Sequence, residues 1–472
     1  MSVYSSFFGI ELGKRALITQ QLALHTIAHN ISNANTPGYS RQITSLGATP
    51  SFFIPDANHL EVPGQLGSGV KIDSILRARD MLLERQIQQE TTTQGACNAK
   101  SSYFDRVNAI IDEHSNQSVG QALDDFWAAW QELSSHPEDM AVRNTLISKA
   151  QRLTSVLQTK DQDLQGLQKN ADDTLRADAD KINQLASQIR DVNVRINQCL
   201  GIETAPNDLL DQRDKLMSEL SKLADVQGHQ MPNGLYDITI NGHTLVQDAQ
   251  FIPITAVNDP LNSGYAKLTW SDDGTDVQVQ DGEVKGLLDI RDANVPLYRQ
   301  ALDSIAQGLM ANVNPVQSAG YGLNAAAPSG LDFFTGSGIQ NIAVNPTLIN
   351  DPTQVAAASN PNAPGDGSNA LAQAQLQNSL SMSAGSLTFG QFYQGLVAQV
   401  GLDGQQNSLS QDGQNTLVDS LEQQRDSVSG VNLDEEMTDL IKYQNGYQAA
   451  VRVISTMDSM LNTIINQMGA GR

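Results

Sequence analysis

Apolar residues at the head of the chain recur every seven positions: Val3, Ile10, Leu17, Leu24 and Ile31. Gly9, Ala16 and Ala23 precede three of them. The pattern predicts a helix with one narrow apolar seam beside a stripe of small residues. Asn33, Ala34, Asn35, Thr36, Pro37, Gly38 and Tyr39 follow. Pro and Gly end a helix there, and Asn tolerates the turn. The tail is more regular still. Leu433, Met437, Leu440, Gln444, Tyr447, Val451, Ile454, Asp458, Leu461, Ile465 and Met468 alternate in steps of four and three, with Gln444 and Asp458 as the polar exceptions. Ser429, Gly430 and Asn432 precede this run and can cap it.

Between the ends, a long helix is predicted over about 142–200. Leu146, Ala150, Leu153 and Leu157 set its seam, and Ala171, Leu175, Ala179 and Ile182 shift the phase as a stutter does. Leu185, Ile189, Val192, Ile196 and Cys199 resume it, and a second helix, 207–223, follows the break at Ala205-Pro206. From 229 to 279 the period becomes two. Tyr236, Ile238 and Ile240 alternate with polar residues, and Asn241-Gly242 predicts a hairpin turn into His243–Val246. Leu268-Thr269-Trp270 and Val277-Gln278-Val279, joined by Asp272-Asp273-Gly274, suggest another hairpin. Helical pattern returns over about 293–313, 370–380 and 389–427, and the stretch 315–368 is rich in Gly, Pro, Ala, Asn and Ser.

The expected fold is mainly α with an inserted β domain. Residues 1–40 and 430–472 form a terminal coiled-coil domain of paired helices. Residues 41–228, 285–314 and 370–429 form a helical bundle, including an extended segment at 41–75. Residues 229–284 are a small antiparallel β insert, and 315–369 a loop-rich segment with short strands. Pairing the two terminal seams gives a nested, hairpin-like molecule with the termini at one tip and the β insert toward the other. Two lone helices leave part of each apolar seam wet and bury too little to offset the entropy of ordering them. Both ends are therefore expected to be mobile in the monomer and to fold on packing into a polymer.

Composition narrows the function. The net charge is −23, and no Lys or Arg occurs between Gln300 and Gln424. Nucleic acid and anionic membrane surfaces require clustered cations and are excluded as partners. No stretch is long and apolar enough to insert into a membrane, and no cleavable signal pattern stands at the N-terminus. Two cysteines, Cys97 and Cys199, make no disulfide framework. Aromatics are 5% of the chain, which argues against a large aromatic-rich core. By contrast, no acid occurs between Leu12 and Pro55, which removes one repulsion in a crowded assembly.

Chemistry is sparse. His25 and His29 share a helix face at i, i+4 but lack a third ligand nearby. Asp211, Arg213 and Asp214 suggest a structural ion cluster, and Asp272-Asp273-Gly274 is a turn rather than a calcium loop. No catalytic set, metal site or cofactor is expected.

The stretch Asn30-Ile31-Ser32-Asn33-Ala34-Asn35-Thr36-Pro37-Gly38-Tyr39-Ser40-Arg41-Gln42 resembles the signature of flagellar rod, hook and hook-associated proteins. Ordered companions point to the hook-associated type. They include Phe126-Trp127 with Arg143-Asn144-Thr145-Leu146, and Asn207–Asp214. Gly286–Asp292, Phe333-Phe334, and Ser429–Glu436 with Tyr443-Gln444 complete the set. The resemblance implies a structural subunit at the junction of hook and filament, secreted through flagellar type III export to an extracellular position. It implies self-association in a ring, with the hook protein, a second hook-filament junction protein and an export chaperone as partners. The assembly residues implied are Val3, Ile10, Leu17, Leu24 and Ile31 in front. Behind, they are Leu433, Met437, Leu440, Tyr447, Val451, Ile454, Leu461, Ile465 and Met468, where the chaperone would also bind. The family turn falls on Asn33, Asn35, Thr36, Pro37, Gly38 and Tyr39. Another axial protein of hook or rod type, or a secreted coiled-coil adhesin, is the alternative.

Overall fold

A computed structural model describes residues 7–50, 67–111, 118–202, 204–231 and 236–467. Val3 and Met468 lie outside these, as does the side chain of Ile465. The chain opens with α1 (Phe8–Asn33), then β1 (Gln42–Ala48) and β2 (Val70–Arg77), which pair as an antiparallel ribbon. Four helices follow: α2 (Met81–Ile111), α3 (Val119–Ser135), α4 (Met140–Leu200) and α5 (Asn207–Leu223). The β insert holds β3 (Val226–Gln230), β4 (Tyr236–Ile240), β5 (His243–Gln247), β6 (Gln250–Phe251), β7 (Ile254–Asn258) and β8 (Ala266–Trp270). Helix α6 (Glu283–Asp289) runs through a π turn, Ile290–Asn294, into α7 (Val295–Ala319). Short strands β9 (Phe334–Thr335) and β10 (Ala343–Val344) precede α8 (Pro346–Asn350) and α9 (Ser368–Gln375). The long helices α10 (Phe389–Ser429) and α11 (Leu433–Gln467) close the described chain. The architecture is mainly α with small antiparallel sheets.

Helix α4 is the axis of the body. Its 61 residues extend about 90 Å, and the Asp139 side chain caps it by accepting the Ala141 N–H. Its seam is buried along most of that length, from Leu146 to Ile196, through the phase shift at Ala171, Leu175, Ala179 and Ile182. Helix α2, by contrast, buries large apolar residues only toward its ends, Leu83 and Ile87 in front and Tyr103, Phe104, Val107 and Ile111 behind. Between them its buried face is Thr91, Thr92, Ala96 and Ala99, small residues that let neighbours approach. A Cβ on Gly95 would meet the Lys222 carbonyl at 2.2 Å, and one on Gly286 the Ala96 carbonyl at 2.7 Å.

Three expectations need correction. The low aromatic content does not prevent an aromatic core, because the rings are concentrated in one place. Phe126, Trp127, Trp130, Phe333, Phe334 and Phe389 interlock, with Phe126 to Trp127 at 4.8 Å and Trp130 to Phe333 at 5.2 Å. The loop-rich stretch supplies two of these rings and packs into the bundle. Arg143, buried on α4, anchors it by donating to the Pro352, Thr353 and Val355 carbonyls.

The second hairpin also differs. Strand β8 pairs with β7 from Ile254 opposite Trp270 to Asn258 opposite Ala266. The turn expected after β8 does close, with an antiparallel bridge from Thr269 to Asp276 and the Val277 N–H donating to the Leu268 carbonyl, but residues 277–279 form no strand, and the chain then turns into α6 through Gly282 at φ +94°. Finally, the β insert does not lie at the far tip. Along α4, Arg143 and Gln158 hold the loop-rich segment, Asn183 donates to the Ile254 carbonyl, and Asn193 donates to the Tyr236 carbonyl. The insert thus flanks the half of α4 nearer α5, because it begins directly after α5 has folded back along that half. The first hairpin is as the Asn-Gly dipeptide predicts: Asn241 and Gly242 take φ +46° and +83°, and β4 pairs with β5.

Helix α7 also runs past Pro315 to Ala319. Pro315 sits near its C-terminal end, where it lacks the N–H that would bond the Ala311 carbonyl four residues back.

Candidate assembly site

Helices α1 and α11 pair antiparallel, and their contact line is set by small side chains. A Cβ on Gly9 would lie 2.8 Å from Met457 Sδ, one on Gly13 2.6 Å from Ile454 Cγ1, and one on Gly446 2.8 Å from the Gln20 side chain. Ala23, Ile27 and Asn30 continue the line in steps of three and four, and all are buried. On α11, Glu436 and Ala450 are buried on the matching side. The contact line therefore runs one position before the predicted front seam. Ile10, Leu17, Leu24 and Ile31 are half-buried along its flank.

On the other flank, α1 meets the β1–β2 ribbon. Arg15 donates to the Ser68 carbonyl at 3.1 Å, and the Thr19 hydroxyl to the Val70 carbonyl at 3.2 Å. Of the predicted rear residues, Leu440, Tyr447, Ile454 and Leu461 are half-buried. Leu433, Met437 and Val451 stay exposed at 50%, 51% and 40%.

The turn that ends α1 is built as its residues require. The Thr36 N–H donates to the Asn33 carbonyl, the Tyr39 N–H donates to the Thr36 carbonyl, and Gly38 takes φ +83°, a conformation that favours glycine. Asn35 and Pro37 are exposed. Tyr39 folds back over α1: its hydroxyl donates to Asn30 Oδ1 at 2.7 Å and lies 2.9 Å from His29 Nδ1. Burial first, then the charges of Asp208, Asp211 and Glu436, push the Tyr39 phenol far above its ordinary value, so it remains a hydroxyl donor.

Around that turn lies a polar clamp joining the terminal pair to the body. Asn30 is its centre: Nδ2 donates to the Gln42 carbonyl at 2.9 Å and to Glu436 Oε2 at 3.1 Å, while Oδ1 also accepts the Gln42 N–H. Arg41 pairs with Glu435 and Glu436, each at 2.8 Å, and its N–H donates to the Ser429 carbonyl. The Ser40 N–H donates to Asp211 at 2.9 Å, and Arg77 pairs with Asp211 at 2.8 Å and Asp214 at 2.7 Å. Arg79 pairs with Asp214 and, at 2.8 Å, with Glu84. Burial alone would lower the Arg79 pKa; Asp214 and Glu84 outweigh it and raise the net value.

Both chain crossings, 33–41 and 429–432, thus meet at one point. A polar cleft of about 760 Å³ beside them is lined by Pro37, Gly38, Lys215, Arg425 and Gly430 among others. Sequence reading placed Asp211 and Asp214 in an ion cluster. It missed their partners Arg77 and Arg79, and it missed the central role of Asn30, whose signals were its place ahead of the turn and at the head of the signature stretch Asn30–Gln42. Arg213, the third of that cluster, lies 3.8 Å from Asp214 and over the Tyr236 ring at 4.3 Å. His25 is exposed, and His29 faces Tyr39 and, at 3.6 Å, Asp208.

The chemistry of this site is that of a joint, with buried hydrogen bonds and ion pairs holding the two chain crossings together. Among the described residues no helix is long and apolar enough to cross a membrane.

Comparisons with known proteins agree with that character. Residues 104–334 match the family described as flagellar hook-associated protein FlgK helical domain. Residues 422–468 match the flagellar basal body rod FlgEFG protein C-terminal family, and residues 10–39 the flagella basal body rod protein family. The chain is similar to flagellar hook-associated protein 1 of Bacillus subtilis (strain 168), at 28% identity over 99% of both chains. It is also similar to the protein of that name from Escherichia coli (strain K12), at 26% identity over 94% of this chain and 97% of that protein. Among solved structures, the flagellar hook junction protein FlgK of Burkholderia pseudomallei superposes with a TM-score of 0.64 at 16% identity, covering 73% of this chain and all of that one. That last likeness is one of fold.

Proposed function

This chain belongs to the flagellar hook-associated protein family, and we propose that it works at the hook-filament junction by joining its terminal helix pair to those of neighbouring subunits. It is a structural subunit of the bacterial flagellum and assembles with other axial proteins. We assign it no catalytic step. Its finer partners in this reading are further copies of itself in a ring, the hook protein below and a second junction protein above. An export chaperone would hold the C-terminal helix before assembly, and the route outward is flagellar type III export.

The observation that carries the reading is an apolar face the terminal pair leaves uncovered. On α1, residues one position before the contact line meet the ribbon, and residues one position after it point away. On antiparallel helices, positions following the contact line project to the same side. Ile10, Leu17, Leu24 and Ile31 of α1 therefore share one face with Met437 and Val451 of α11, and 51% and 40% of the latter two residues is accessible. Apolar residues repeating at heptad spacing on both helices fit a neighbouring helix pair. The clamp at Asn30, Arg41 and Glu436 then sets the angle at which this face is presented.

The test is complementation of a deletion strain with the full-length Met437→Lys, Val451→Lys double variant, which leaves the α1–α11 contact line intact. The expected result is export of the variant, completed hooks, and flagellin shed into the medium. Normal swimming would overturn the reading.

A further inference from the structure

We propose that His243, Asp272 and Asp273 bind one divalent transition-metal ion of the zinc type on the surface of the β insert. Strand β5 opens with His243, directly after the Asn241-Gly242 turn, while the two aspartates sit in the turn after β8. The fold thus brings together donors from two sheets that share no backbone ladder. Nε2 of His243 lies 3.7 Å from an Oδ2 of each aspartate, and the three ligand atoms all fall within 4.8 Å of one another. Tetrahedral zinc, with bonds of about 2.0–2.2 Å, holds its ligand atoms roughly 3.3–3.5 Å apart. The imidazole-to-carboxylate separations of 3.7 Å need to close by only a few tenths of an ångström. One imidazole and two carboxylates suit a borderline ion, and water completes the coordination.

The imidazole is held in place from outside the cluster. It stacks on the buried Trp270 indole, with centroids 4.1 Å apart and planes 15° from parallel. Its Nδ1 faces the Thr244 carbonyl at 3.4 Å. With the proton on Nδ1, the Nε2 lone pair points at the two carboxylates, the tautomer a metal requires. Each aspartate is anchored through its other oxygen. Asp272 Oδ1 accepts the Asp273 N–H at 2.9 Å, and Asp273 Oδ1 accepts the Thr275 N–H at 2.8 Å and hydroxyl at 2.7 Å. Both Oδ2 atoms remain turned toward His243. A bound ion would tie the start of β5 to the β8 turn and brace the insert at its surface.

Titrating ZnCl2 calorimetrically into the chelator-stripped full-length chain tests this. One saturable site is expected, retained in the His25→Gln, His29→Gln variant and unaffected by excess Ca2+. Binding should weaken roughly tenfold or more in His243→Gln and in the Asp272→Asn, Asp273→Asn variant. Circular dichroism identical to the parent establishes that all three variants fold. The parent should also melt at a higher temperature with zinc, and His243→Gln should not. Absence of a saturable site overturns the proposal, since contact of the imidazole with the two carboxylates then accounts for the cluster. Undiminished binding by His243→Gln, or loss only in His25→Gln, His29→Gln, overturns it as well.

Discussion

Gly13→Ala sets two opposing effects against each other, and the structure decides the sign. In a helix interior, alanine is favoured over glycine by about 0.5–1 kcal/mol. Where space is open, that gain should appear undiminished: Gly166 in α4 has nothing within 4 Å of a built Cβ, so Gly166→Ala should stabilise by about that amount. At Gly13 the new methyl would sit 2.6 Å from Ile454 Cγ1, about 1 Å inside ordinary carbon contact. Ile454 is branched at Cβ and fixed in χ1 by its helix, so it cannot swing aside, and the helices must separate. Overpacking of this kind costs about 1–3 kcal/mol, leaving a net loss of up to about 2 kcal/mol, confined to the α1–α11 pair. Gly9→Ala meets Met457 Sδ at 2.8 Å, but an unbranched thioether yields more easily, so its cost should be smaller. The single chain packs α1 on α11, against the expectation of mobile ends, so amide exchange of α1 in the purified chain, read beside swimming in complemented cells, measures both consequences. The expected order of α1 protection is parent, then Gly9→Ala, then Gly13→Ala, with Gly166→Ala unchanged there. Equal or greater α1 protection in Gly13→Ala would refute the assignment of the small residues as the contact line.

The clamp makes a second prediction. Glu436→Ala removes the acceptor for Asn30 and one carboxylate partner of Arg41 from a site where Glu436 is 2% exposed. It should cost about 2–4 kcal/mol and reduce motility more than Glu435→Ala, whose carboxylate is largely solvated; equal effects would remove Glu436 from the clamp. A third concerns pH. Burial, then the charge of Glu283, pushes the Asp178 carboxyl up to about 7, and its Oδ2 is buried without a hydrogen-bond partner. A carboxyl raised in the folded state favours folding while protonated. Its contribution is complete below the ordinary carboxylate pKa and is lost as pH rises through about 7. Asp178→Asn should therefore flatten the stability profile between pH 5 and 8 and gain about 1–3 kcal/mol at the alkaline end. Denaturant melts at both pH values decide it, and an unchanged profile counts against a protonated Asp178.

Periodicity alone determined that α1, α4, α5, α10 and α11 exist and nearly where they end. It also located the β4–β5 hairpin, because helix and strand repeats and the Asn-Gly turn are local properties of the backbone. It did not determine which flank of a heptad stripe meets a partner. A stripe has two sides, and only the angular position of α11 and the ribbon around α1 selects Gly9, Gly13, Ala23 and Ile27 over Ile10, Leu17 and Leu24. Helix α2 falls inside the helical bundle expected over 41–228, but no continuous apolar stripe marks its bounds, because its middle, Thr91, Gly95, Ala96 and Ala99, is chosen for closeness rather than apolarity, and closeness is a relation between two helices. The aromatic core and the clamp are likewise tertiary. Phe126 meets Phe333, and Asn30 meets Glu436, across chain separations at which no repeat carries information. Ring packing and buried hydrogen bonds act over a few ångströms, so those partners become visible only once the chain has folded.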